Sequence, residues 1–235
     1  MKKAILAFVT LILLSSCSKD SKTNLHLTGT VKGLKKGTLY IQRIKDTSLV
    51  AIDTIIIDGD SKFESDLNIE SPEMLYLFLD RGVSNSLDNN ISFFAEPGNI
   101  NIDTNLDSYF YSTKVTGSKN HDKYEEYKKM NIRFRDENLD MIKNKFTALK
   151  SNNPKALDSL NKLQESSTKR KYLFTANFAL NNKDYEVAPY IVLSEIYDIN
   201  IKYLDTIQKS MSPKVAKSLY GKKLTKYVAE IKKAK

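Results

Sequence analysis

The chain opens on one apolar stretch, Ala4 to Leu14, broken only by Thr10, and then divides into much shorter runs. Leu25, Leu27, Gly29 and Val31 alternate with polar neighbours, which predicts a half-buried strand. Lys35-Lys36-Gly37 marks a turn, after which Leu39, Ile41 and Arg43 face one way and Tyr40, Gln42 and Ile44 the other. Leu49 to Ile57 is rich in β-branched residues, Asp58-Gly59 is a hairpin signal, and Phe63, Leu67 and Ile69 follow at even spacing. Met74 to Leu79 is apolar on both faces, as a central strand is. Ile91 to Ala95 and Asn99 to Asp103 flank the turn dipeptide Pro97-Gly98, and Tyr109 to Val115 reads as a final strand. Short strands at this spacing predict an antiparallel β-sandwich or open barrel.

The period then changes. Ser118 is placed to cap a helix. Tyr127, Phe134 and Met141 recur every seven residues, and Leu139, Ile142, Phe146 and Leu149 continue at three-four spacing, which predicts an amphipathic helix with one apolar face. Asn153-Pro154 pairs a cap residue with proline at the first helical position. Leu157, Leu160 and Leu163 begin the next stripe, Phe174 and Phe178 extend it, and Asn181-Asn182 ends it. A third helix starts near Pro189 and a shorter one covers Ile199 to Lys209. Ser212-Pro213 repeats the cap-then-proline signal before a last helix striped by Val215, Leu219, Leu224, Val228 and Ile231. The fold class expected is α+β: a β-rich domain over residues 24–116, then an α-helical region over 117–235.

Charge and glycine change at the same place. Ser18 to Val115 holds 10 Lys and Arg against 14 Asp and Glu, a net of −4; Thr116 to Lys235 holds 25 against 14, a net of +11. Seven of the 8 glycines lie at or before Gly117, and Gly221 alone lies beyond. Two regions of different architecture are expected.

The N-terminus reads as an export signal. Lys2 and Lys3 precede the apolar zone, which is too short for a comfortable membrane span, and Ser15 and Ser16 are small. Residues 1–16 are therefore expected to be a signal peptide. Leu14-Ser15-Ser16-Cys17 resembles the lipobox of bacterial lipoproteins. That resemblance implies cleavage before Cys17, a diacylglycerol on its sulfur and an acylated amine, with residues 17–23 as a lipidated tether. Each buried methylene contributes about 0.8 kcal/mol, so several chains anchor durably where one does not. Ser18, in place of the aspartate that retains many lipoproteins, implies passage to the outer membrane; Ser18-Lys19-Asp20 partly resembles a surface-export signal. The expected location is the cell envelope, lipid-anchored to the outer membrane on its periplasmic face or at the cell surface.

Candidate chemistry is sparse. Cys17 is the only cysteine, which excludes internal disulfides, thiolate metal sites and dithiol redox chemistry. His26 and His121 are the only histidines, so no metal site is assigned. The acidic turn Asp58 to Glu64 lacks the glycine and glutamate spacing of an EF-hand loop and reads as a hairpin. No G-x-S-x-G, H-E-x-x-H or phosphate-loop pattern is present, and no catalytic residue or cofactor is assigned. Glu125-Glu126 reads as a solvated pair on a helix face. Lys128, Lys129, Arg133, Arg135, Lys169, Arg170, Lys171, Lys222, Lys223 and Lys226 form a basic set interleaved with tyrosines. Stacked aromatics and cations are the chemistry of nucleic-acid binding, but here the tyrosines fall on apolar stripes and the export signal leads away from the genome. No nucleic-acid partner is expected; anionic lipid headgroups or acidic glycans are the milder use of this charge.

Leu27 to Leu34 (LTGTVKGL), Asp58-Gly59 through Phe63, Phe94 to Ile100 (FAEPGNI), Val115 to Lys119 (VTGSK) and Ser212-Pro213 through Ser218 to Leu224 (SLYGKKL) together resemble one lipoprotein family. It is the domain-of-unknown-function 4369 family, found at the N-terminus of membrane-tethered thioredoxin-like thiol–disulfide reductases. The resemblance implies a β-rich domain and helices on a lipid tether in the envelope. The sequence reaches Lys235 without a Cys-x-x-Cys site, so thiol chemistry carries over to no residue here. The expected role is a non-enzymatic binding or scaffold module, with a separate thioredoxin-like protein as one partner. The alternatives are capture of a glycan or peptide ligand at the surface and a carboxylate-dependent hydrolase.

Overall fold

The structure is a computed structural model and describes residues 23–82 and 86–234. Among the described residues eight strands come first: β1 (Leu25–Lys32), β2 (Lys36–Lys45), β3 (Ser48–Asp58), β4 (Lys62–Leu67), β5 (Glu73–Asp80), β6 (Asn90–Ala95), β7 (Gly98–Asn105) and β8 (Lys114–Thr116). Six helices follow: α1 (Lys119–Lys150), α2 (Pro154–Asn181), α3 (Val187–Glu195), α4 (Ile201–Ser210), α5 (Pro213–Lys217) and α6 (Leu219–Lys233). The strands form two four-stranded sheets, ordered β4-β1-β7-β8 and β3-β2-β5-β6. The second is antiparallel throughout; in the first, β1 and β7 run parallel, Leu27 opposite Ile100. The sheets face each other and neither closes into a barrel.

Alternation explains the sandwich. Leu25, Leu27 and Val31 of β1, Leu39 and Ile41 of β2, Leu75, Leu77 and Leu79 of β5, and Ile100 and Ile102 of β7 are all buried between the sheets. Inward positions two residues apart are what a pleated strand delivers to one face. Only the last part of the final expected strand is extended. Tyr109 instead sits in a turn, buried in the sandwich core, where its hydroxyl donates to the Leu77 carbonyl at 3.1 Å. Burial raises that phenol's pKa. The turn is further tied by Thr104 and Thr113 hydroxyls donating to the Tyr109 carbonyl at 2.6 and 2.7 Å.

Five of these six helices begin at a residue whose side chain caps them; α3, entered from Glu186, has no side-chain cap. Ser118, Asn153 and Ser212 accept main-chain N–H groups of His121, Ala156 and Val215. The last expected helix is two helices. Ser218 ends α5 and caps α6, accepting from Gly221 N at 3.2 Å. The break packs Gly221 against α5, where a Cβ would meet the Val215 carbonyl oxygen at 1.9 Å.

α1 and α2 form a long hairpin whose two halves differ. Near the sandwich, Tyr127, Phe134, Phe174 and Phe178 stack together. At the far end Leu139, Ile142, Phe146 and Leu149 are more than half exposed, and polar pairs such as Ser167 to Glu137 at 2.9 Å join the helices. The continuous apolar stripe therefore buries only its first turns. Among the described residues no helix is long and apolar enough to cross a membrane.

Gly117 sits at φ +95, with a hypothetical Cβ at 2.0 Å from the Asn99 carbonyl oxygen. Gly117→Ala is expected to cost about 2–4 kcal/mol, through both backbone strain and a clash that main chain cannot relieve. Gly59→Ala, also at positive φ but with open space around it, is expected to cost about 1 kcal/mol. Urea denaturation of the two variants measures the contrast; equal losses would mean that the close approach at Gly117 is not a constraint.

Candidate functional site

The helices meet the sandwich through a buried polar knot. Glu96, in the turn between β6 and β7, accepts from the main-chain N–H of Lys119 at 2.7 Å and of Asn120 at 3.3 Å, the first turn of α1. A carboxylate there satisfies donors that the helix leaves open and complements its dipole. The Asn120 amide nitrogen donates to Glu96 at 2.5 Å and to Glu186 at 2.9 Å, while its oxygen accepts from Val187 N at 2.9 Å. Glu186 is buried and takes its charge partner from Lys214 at 2.9 Å. That contact raises the pKa of Lys214.

An aromatic cluster surrounds the knot. Phe94, on the outer face of β6, lies edge-on to Tyr190 and beside Tyr220. The Tyr220 hydroxyl accepts from Met74 N at 3.0 Å, and Leu219 N donates to the Ser71 hydroxyl at 2.9 Å. Burial raises the pKa of Tyr190 and Tyr220. Beneath Tyr220, Arg43 reaches Glu73 at 2.8 Å, and burial raises the Glu73 pKa against the opposing pull of Arg43.

Next to the knot, α1 leaves the sheet edge and opens a cleft of about 740 Å³. One wall is β6 at Ile91 and Ser92, one is the segment from Phe110 to Val115, and the third is α1 from His121 to Arg135, with Lys171 and Glu195 at the far end. His121 starts the wedge. Its Nδ1 accepts from Phe94 N at 3.2 Å, which places the ring proton on Nε2, facing Glu125 at 3.3 Å. Glu125 also receives Lys128 at 2.6 Å. The His121 hydrogen bond and then the Lys128 contacts pull its pKa down to about 2, against burial. Lys128 lies 4.9 Å from the centre of the Tyr124 ring, and burial pushes the Tyr124 hydroxyl up to about 12.

Two features of the cleft are unspent. Lys114, Lys129 and Arg135 have no carboxylate partner among the described residues, whereas Lys171 is paired with Glu195 at 2.8 Å. Asn131 is 7% exposed and its side-chain oxygen has no hydrogen-bond partner among the described residues. A buried acceptor left unbound costs about 1–3 kcal/mol, so a donor from outside the chain would recover that cost. A shallower hollow of about 450 Å³ lies between α3 and α6, lined by Tyr190, Tyr220 and Lys223.

The basic set predicted from sequence is split. Lys128, Lys129, Arg135 and Lys171 converge on the cleft. Arg133 lies over Phe134, Arg170 binds Glu137 at 3.0 Å, and Lys223 and Lys226 line the other hollow. Glu125 is a held member of the cleft rather than a solvated helix charge. Asn131 escaped notice although it stands four residues after Tyr127 and three before Phe134; a polar residue on an apolar stripe was the available signal. His26, Glu64 and Asp66 offer ligand atoms within 4.8 Å of one another, but they are neighbours on paired strands, with His26 opposite and bonded to Asp66 at 2.8 Å. The lipobox Leu14, Ser15 and Ser16, the lipidation residue Cys17 and the export residues Ser18, Lys19 and Asp20 lie outside the described residues.

Fold and site together define a two-part α+β chain, an open sandwich clamped to helices with a charged cleft at the seam. Residues 25–124 match the sequence model of a family described as Domain of unknown function (DUF4369). The match spans the sandwich and the first turns of α1; the Ser212 to Leu224 segment lies beyond it. No curated protein and no solved structure matches the chain.

Asn120→Ala removes donors from two carboxylates and an acceptor from Val187 N, and is expected to destabilise by about 3 kcal/mol in urea denaturation. Loss under about 1 kcal/mol would show that the knot is not structural. Glu125 has a folded pKa below its ordinary value near 4.5. Its contribution to stability is therefore present above about pH 4.5 and lost as pH falls toward 2. Glu137 and Asp205, lowered by Ser167 with Arg170 and by Lys209 with Lys232, act in the same direction, their contributions being lost as pH falls below their ordinary values. Glu125→Gln is expected to flatten part of the acid limb of stability against pH; an unchanged limb would mean that the His121 and Lys128 contacts do not hold Glu125 ionised.

Proposed function

We propose that the chain is a non-enzymatic binding module of the cell envelope, tethered to the membrane by lipid on Cys17, with the cleft as its binding seat. The observation that carries this is the cleft itself: a hollow held at the sandwich–helix seam, with unpaired cations and an unbound buried acceptor. Ligand sites are concave and combine apolar walls with a few converging polar groups. The groups present are poorly suited to catalysis. Both His121 nitrogens are engaged, and a carboxylate with a pKa of about 2 is a weak general base near neutrality. That favours binding over the carboxylate-dependent hydrolase reading. The lipobox motif and the short apolar zone before it support the tether, with outer-membrane attachment following from Ser18. A thioredoxin-like envelope protein is the first partner to test.

Cells making wild-type or Cys17→Ala protein and fed an alkyne-labelled palmitate should show label on the wild type alone. Protease shaving then distinguishes a surface ligand from a periplasmic partner. No label on the wild type would overturn the tether. Crosslinking from detergent-solubilised envelopes should recover one dominant partner, lost in a Lys129→Glu, Arg135→Glu variant that folds normally; recovery unchanged by those substitutions would overturn the cleft as the seat.

A further inference from the structure

The wall formed by β6 is a sheet edge. Among the described residues β6 pairs with β5 alone and ends its sheet. Successive residues of a strand turn their N–H and C=O groups to opposite neighbours. Phe94 N turns away from β5, since it donates to His121. By alternation the main chains of Ser92 and Asn90 turn the same way. At Phe94 the histidine closes the edge; at Ser92 the Tyr124 side chain reaches the strand through the Ser92 hydroxyl, and Ser92 also borders the cleft, with no main-chain partner for its outward groups among the described residues. An unpaired edge is a template for another strand. Natural chains guard such edges with charge or cover, and here a helix partner for the edge main chain is seen only at Phe94 among the described residues.

The opposite wall and α1 supply side-chain contacts. Phe110 and Tyr111 are 45% and 80% exposed at the mouth and lie edge-to-face, 5.2 Å between ring centres. Lys114, Lys128, Lys129, Arg135 and Lys171 face two carboxylates, Glu125 and Glu195, each already bound to a lysine. The cleft therefore carries an excess of positive charge. Asn131 Oδ1, buried and unbound, needs a donor. From His121 to Arg135 the helix wall runs about 20 Å at 1.5 Å per residue, the length of about six residues of extended chain.

We propose that the cleft binds an extended acidic peptide segment, which adds its main chain to the free edge of β6, presents carboxylates to Lys129 and Arg135, and donates to Asn131. Main-chain pairing supplies affinity, and the cations and aromatics select for alternating acidic and apolar side chains. The proposal rests on the reading of the cleft as a binding seat and names its ligand. An acidic oligosaccharide shares the charge but has no use for a strand edge, which is why the peptide is favoured.

The test uses the full-length chain in detergent micelles and fluorescence anisotropy. Three probes are compared: a labelled hexapeptide mixture with Glu or Asp at alternate positions and all residues between, the same mixture N-methylated at alternate amides in both registers, and a labelled hexameric oligogalacturonate. The expected result is binding of the unmodified mixture that weakens with salt, at least tenfold loss on N-methylation, and about tenfold loss in Lys129→Gln, Arg135→Gln protein. Asn131→Leu, which fills the same volume without an acceptor, should weaken the peptide about fivefold while leaving urea stability unchanged or higher. Equal binding of the N-methylated mixture overturns strand addition. Oligogalacturonate binding without peptide binding overturns the peptide and leaves the binding-module reading standing. Binding of none of the probes at millimolar concentration overturns the proposal, while partner recovery from envelopes judges the broader reading separately.

Discussion

The structure depends on one buried amide. Asn120 spends both nitrogen protons on two carboxylates and its oxygen on a main-chain donor, and the carboxylates belong to the sandwich turn and the start of α3. Setting the half-buried Glu96 beside the buried Glu186 would be unfavourable without donors between them and a cation beyond. Asn120 and Lys214 supply both. The same Glu96 caps the first turn of α1, so the direction of a 32-residue helix is set by a turn in the sandwich. Gly117 lets the chain enter that helix against the Asn99 carbonyl.

From that fixed start the cleft follows as geometry. His121 holds α1 to the β6 edge at Phe94, and the cleft opens between the following stretch of the helix and the segment from Phe110 to Val115. The apolar side of α1 is occupied by the tyrosine and phenylalanine cluster as far as Phe134. Its polar side faces the gap and carries the lysines and arginine. The opposite net charges of the two halves meet here only in part: the acidic sandwich contributes few carboxylates to this seam, so Lys129 and Arg135 of the helical half have no carboxylate partner among the described residues. Isolated surface pairs contribute about 0–1 kcal/mol each, so the seam is held by the buried knot and the aromatic cluster, not by the charge difference.

Much of this was legible in the chain. Two-residue alternation located the strands, and three-four spacing with Ser118, Asn153 and Ser212 located the helices, because local periodicity and capping are written in neighbouring residues. The parallel pairing of β1 and β7 was not, since pattern gives a strand its faces but not its neighbour. Tyr109 read as strand because a buried aromatic in a turn has the same local signature. The far end of the α1–α2 hairpin kept a regular stripe yet leaves it exposed, as periodicity records a face but not what covers it. The motif residues that carried the family resemblance turn out to be the joint: Glu96, Gly117, Ser118, Tyr220 and Gly221 each make a contact between elements. Asn120 itself, polar and unremarkable in the sequence, takes its meaning from Glu186, 66 residues away.

Sandwich and helices form one unit with a standing cleft. Native-state hydrogen exchange read by mass spectrometry tests it most directly. Peptides covering residues 90–96, 117–127 and 185–192 should open together, with the same free energy as global unfolding. Earlier exchange of 117–127, with 90–96 still protected, would mean that α1 detaches from a sandwich that stands alone, and that the cleft is not a fixed feature of the folded protein.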